Sequence, residues 1–76
     1  SPGLASAEII PPPQAELEVL YELARMGSMD GIQERAYYLE NLAESYRPFA
    51  QTLSALAEEF EDKKIVALLE EHLEKA

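Results

Sequence analysis

The sequence predicts an all-α fold, a small four-helix bundle of two antiparallel αα-hairpins preceded by a proline-rich linker. Three observations carry this. Beyond Pro13, apolar residues recur at helical spacing in four separate blocks. Between Pro13 and Pro48 there is no proline to interrupt a helix. The breaks between blocks are only a few residues long, which forces consecutive helices to run antiparallel.

Residues 1–12 read as a flexible, proline-rich linker and 13–76 as the helical domain. Ser1-Pro2-Gly3 is turn-like or a cloning remnant, and Ala5 to Ile10 has no sustained period. Pro11-Pro12-Pro13 fixes three φ angles and removes three donors, favouring an extended polyproline II spacer. Ile9 and Ile10 are the apolar exceptions, placed to pack on the domain or on a preceding element.

The first helix is expected from Pro13 to Met26. Leu17, Leu20, Tyr21 and Ala24 recur at i, i+3, i+4 and i+7. Val19, Leu23 and Met26 widen that stripe, so this helix is expected to meet neighbours on two sides. Gly27 is its stop signal. Ser28 is the N-cap of a second helix from Met29 to Glu44, with Asp30 in its first turn. Its stripe is Ile32, Ala36, Leu39 and Ala43, flanked by Met29 and Leu42. Gly31 weakens this helix unless it permits a close approach to the first. The third helix is expected from Arg47 to Phe60, with Pro48 in its first turn and Phe49, Leu53, Leu56, Ala57 and Phe60 facing inward. Asp62 caps a fourth helix from Lys63 to Lys75, lined by Ile65, Leu68, Leu69 and His72 or Leu73.

Length and charge bound the function. A chain of 76 residues holds one small domain, and at that size conformational entropy nearly cancels burial. Marginal stability makes self-association or docking physically attractive. The composition is 47% hydrophobic, enough for a core. Fifteen acidic against six basic residues give a net charge of -9, which argues against nucleic acid or an anionic membrane as partner. With no cysteine there is no disulfide framework or thiolate site, which fits a cytoplasmic protein. No apolar run approaches the roughly 20 residues of a membrane span, and the first residues carry no signal-peptide pattern.

No constellation of catalytic residues emerges, so no enzyme activity, cofactor or metal is expected. His72 is the only histidine, and His72-Leu73-Glu74-Lys75 has the histidine–lysine spacing of a phosphotransfer domain, itself a four-helix bundle. It lies late in its helix, where helices fray, and Glu70, Glu71 and Glu74 would repel a phosphoryl group. The plainer reading is a solvated or capping histidine. A carboxylate-bridged di-metal bundle needs Glu-x-x-His pairs, but position 69 is Leu69. The Glu58 to Asp62 run lacks the glycine of a calcium loop and includes Phe60. The carboxylates thus read as a solvated face with Glu22–Arg25 and Glu71–Lys75 as surface pairs. The candidate contact surface comprises Leu20, Tyr21, Tyr37 and Tyr38. The plainer reading makes one of the two adjacent tyrosines core and the other an ordinary exposed aromatic.

The residue pattern also carries a resemblance. Pro11-Pro12-Pro13 leads into Leu17-x-x-Leu20-Tyr21-Glu22-Leu23-Ala24, Met26-Gly27 and Ile32. Ala36, Leu39-x-x-Leu42, Tyr46-x-Pro48-Phe49-Ala50, Leu53, Leu56-Ala57, Phe60 and Lys64-Ile65 follow. This resembles the C-terminal helical module of bacterial, cyanobacterial-type hybrid sensor histidine kinases and related receiver-containing two-component proteins. There a proline-rich linker precedes an LxxLxxLAxxGd helix, a Y-x-PFA helix start and a final amphipathic helix. The likeness spans residues 11 to about 73, and its motifs are packing and capping signals. Where the family often has an acidic residue after the glycine, this chain has Ser28, an equally good cap. The resemblance implies a non-catalytic regulatory appendage of a cytoplasmic signalling protein. Its partners would be the parent's own kinase or receiver domains, or a second copy in a homodimer. Two other readings stand beside it: histidine phosphotransfer through His72, and a docking domain of a multienzyme such as a polyketide synthase, which would require a basic partner helix.

Overall fold

The structure, a computed structural model, describes residues 9–75, with the side chains of Glu74 and Lys75 left out. The expectations for Ser1-Pro2-Gly3 and for residues 5–8 lie outside the described residues. Four α-helices follow one another: α1 (Gln14–Arg25), α2 (Met29–Leu42), α3 (Arg47–Glu58) and α4 (Asp62–Lys75), with a short 3-10 turn, Glu44–Tyr46, before α3. No strand occurs among the described residues. The chain is an all-α four-helix bundle.

Each boundary has a local cause. Pro13 precedes α1 in polyproline II geometry (φ -56°, ψ 155°), and its carbonyl accepts from the N–H groups of Glu16 and Leu17. Ser28 caps α2: its Oγ accepts the Gly31 N–H at 3.3 Å, satisfying a first-turn donor. Helix α2 stops at Leu42, two residues earlier than the periodicity predicts, because Ala43 turns extended (φ -157°) before the 3-10 turn. Pro48 sits in the first turn of α3, where no amide donor is missed. Asp62 opens α4 rather than capping it, since the Ile65 N–H already bonds the Glu61 carbonyl.

Helices α1 and α3 end in the same hydrogen-bonded turn. At the end of α1, Gly27 N–H bonds the Ala24 carbonyl and Ser28 N–H bonds the Leu23 carbonyl. At the end of α3, Phe60 N–H bonds the Ala57 carbonyl and Glu61 N–H bonds the Leu56 carbonyl. Both are Schellman closures, which need a left-handed residue just past the helix. Gly27 supplies it at φ 75° and Phe60 at φ 55°. This overturns the expectation that Phe60 continues the inner stripe of the third helix. The 3.6-residue period reaches it on paper, but the backbone has already turned, and the ring is 76% exposed.

The core is apolar throughout. Leu17, Leu20 and Ala24 come from α1, and Met29, Ile32, Ala36 and Leu39 from α2. Helix α3 adds Phe49, Ala50, Leu53 and Ala57, and α4 adds Ile65 and Leu69. No polar or charged residue is buried among the described ones. Each large side chain here stabilises the fold by roughly 1.5–3 kcal/mol through burial. The broadest packing is α2 on α3 and α1 on α4, whereas α1 meets α2 along a thinner seam. Pro12 is buried as well, while Pro11 and Pro13 on either side are exposed. The proline segment is therefore seated on the bundle at that one residue.

Candidate interaction surface

The thin α1–α2 seam is where the unusual side chains collect. Val19 and Leu23 on α1 face Gly31, Arg35 and Tyr38 on α2 across a groove of about 320 Å³, with Glu34 on its edge. Gly31 makes the close approach possible. A Cβ there would lie 2.9 Å from Leu23 Cδ2 and 2.8 Å from the capping Ser28 Oγ. Its place in the helix is thus a packing choice, one of the two roles the sequence left open.

A charged fork spans the seam. Arg35 Nε donates to Glu16 Oε1 at 2.7 Å and Nη2 donates to Oε2 at 2.8 Å. The guanidinium also lies 4.7 Å from the centroid of the Tyr38 ring. A bidentate Arg–carboxylate pair is geometrically specific, and this one ties the start of α1 to the middle of α2. The hydrogen bonds to Glu16 raise the Arg35 pKa above its ordinary value, against the opposing effect of burial. Local pattern does not announce this partnership; its one trace is that Arg35 is the single basic residue between Arg25 and Arg47.

The four expected contact residues separate. Leu20 is fully buried in the core and has no surface to offer. Its helical face, shared with Leu17 and Ala24, turns toward α4 and the centre of the bundle. Tyr21 is half-buried at the α1–α4 seam, where its hydroxyl donates to Glu70 Oε2 at 2.9 Å and Arg25 lies 5.7 Å from its ring centroid. That hydrogen bond, then burial, raises the Tyr21 pKa from 10.0. The folded state therefore favours the neutral phenol. What this contributes is present below the unfolded pKa and is lost as pH rises through the higher folded value. Tyr37 and Tyr38 are both surface residues, 70% and 46% exposed, so neither of the adjacent tyrosines is core. They face different ways: Tyr38 lines the seam groove, and Tyr37 lines a neighbouring depression of about 450 Å³ with Asp30, Gln33 and Glu34.

His72 is half-buried, neither fully solvated nor seated in the core. Its ring meets Phe49 edge to face, with centroids 5.4 Å apart and planes at 80°. The Glu22–Arg25 pair does not form among the described residues, because Arg25 rests over Tyr21 instead. The Glu71–Lys75 pair involves a side chain outside the described ones. The ion pairs Arg47–Glu44 at 3.9 Å and Lys64–Glu61 at 3.8 Å are exposed i,i+3 contacts of little energetic weight. Among the described residues no group of three or more His, Cys, Asp or Glu side chains is arranged to hold a metal ion. Nor is any helix among them long and apolar enough to cross a membrane.

No protein-family model matches the chain, and comparisons with curated proteins and with solved structures return no match.

Proposed function

We propose that this chain is a non-catalytic protein-interaction domain, a regulatory appendage of a cytoplasmic two-component signalling protein that works by docking or self-association. One observation supports the interaction role. Of the eight large apolar residues exposed among the described ones, five (Val19, Met26, Tyr37, Tyr38 and Leu42) belong to α1, α2 or the residue that follows α1. Large exposed apolar side chains concentrated on two adjoining helices of a small domain are what a contact surface requires. The signalling context rests on the resemblance in the linker and helix-start motifs. Phosphotransfer through His72 is the weaker reading, since a ring packed against Phe49 is partly withdrawn from a phospho-donor.

Sedimentation equilibrium over a wide concentration range, at low and high salt, tests the role. A dimer that persists in salt supports self-association through apolar surface. A monomer that binds the parent's receiver or kinase domain supports docking. A monomer that binds neither, with deletion leaving the parent's autophosphorylation unchanged, removes the proposal.

A further inference from the structure

We infer that the α1–α2 seam is a docking groove for an amphipathic helix whose polar flank is basic. This rests on the interaction-domain reading and names its surface and its partner. Val19 and Leu23, four residues apart on α1, line the groove beside the fully buried stripe, and the exposed Met26 follows at the helix end. Tyr38 faces them from α2, and the exposed Leu42 stands one turn further along that helix. Between them lies the 320 Å³ groove, kept shallow and open by Gly31 and held at fixed width by the Glu16–Arg35 fork. A helix laid in such a groove presents its own apolar residues at i, i+3 or i+4 and i+7.

Charge decides which helix fits. Glu34 borders the groove, and Asp30 joins it in the adjoining depression; neither carries an ion pair among the described residues, and Arg35, the one cation lining the groove, is already neutralised by Glu16. The exposed Tyr37 ring lies beside the two carboxylates and offers its face to a further cation. The edge is thus negative around an apolar floor, on a chain whose net charge is -9. A second copy would set the same carboxylates against each other, so the complementary partner carries Lys or Arg along both sides of its apolar stripe.

The test uses the full 76-residue chain. The probe is a synthetic amphipathic helix of Leu and Lys, about 14 residues or four turns long. Its control is a peptide of identical composition reordered to destroy the apolar stripe. Titration calorimetry should show binding of the patterned peptide at least about tenfold tighter than the control, since only it fills the floor. Asp30→Lys with Glu34→Lys should weaken it by about tenfold or more, while the charge-matched change Glu58→Lys with Glu59→Lys, away from the groove, should cost under about threefold. Asp30 stands in the first turn of α2, so Tyr37→Ser, at an exposed ring, provides a second variant that leaves the helix start intact. It too should weaken binding. Equal binding of both peptides, or equal losses from both charge pairs, would reduce the effect to general attraction between opposite charges and overturn the inference. Dimerisation in sedimentation with no affinity for the peptide would overturn the basic helix while keeping the interaction domain. Neither association nor peptide binding would overturn both.

Discussion

The turns after α1 and α3 make the same pair of backbone hydrogen bonds and use opposite residues to do it. Gly27 enters the left-handed region without a Cβ to clash, whereas Phe60 enters it with the second-largest kind of side chain in the chain and leaves the ring in water. A non-glycine residue in this conformation costs roughly 1–2 kcal/mol. Burial recovers little of it. The difference teaches that the hydrogen-bond pattern, not the residue, defines a Schellman turn, and that the first turn is relaxed where the second holds strain. Strain of this kind is a feature that packing and turn chemistry do not explain by themselves.

The comparison can be broken from either side. Gly27→Val should produce the largest effect, a loss of about 2 kcal/mol, because a β-branched residue is poorly accommodated at φ 75°. Thermal unfolding followed by circular dichroism would read it as a fall of roughly 8–16 °C for a domain this small. An unchanged midpoint would mean the turn can rearrange. Ser28→Ala, which removes the cap following the same turn, should cost about 1 kcal/mol by urea denaturation. Phe60→Gly should act in the opposite direction. Relief of strain outweighs the added freedom of the unfolded chain, leaving a gain of about 0.5–1 kcal/mol. Loss of stability in that variant would show that the ring makes a contact worth more than its strain. Smallest of all is Gly31→Ala. The helix-propensity gain of about 1 kcal/mol is set against a displaced Ser28 cap of similar size, so the net change should stay within about 0.5 kcal/mol.

These two turns also mark where sequence reading succeeds and where it stops. Gly27, Ser28 and Pro48 each announce a helix end or start through their own backbone chemistry, so four helices and their short joints were legible residue by residue. Phe60 was misplaced because periodicity records where a side chain would point if the helix continued, and nothing at position 60 says that it does not. Leu20 was misassigned for a related reason. On a helix with two apolar stripes, the stripe alone does not tell which one meets the core. The Glu16–Arg35 fork and the Tyr21–Glu70 hydrogen bond join residues 19 and 49 positions apart. Such pairings depend on how the helices pack, which local pattern does not encode. The α1–α2 groove shows the same limit: its apolar side was visible in the widened stripe at Val19 and Leu23, and its acidic edge at Glu34 was hidden among fifteen acidic residues.

Pro12, buried between two exposed prolines, has a mechanical consequence. A proline run resists bending along its own length, and here its last turn is clamped to the bundle it precedes. The backbone therefore crosses residue 11 on a set heading instead of swivelling about a loose joint. A force or rotation arriving along that segment would be delivered to the whole bundle as one lever, so reorienting the segment reorients the α1–α2 seam with it.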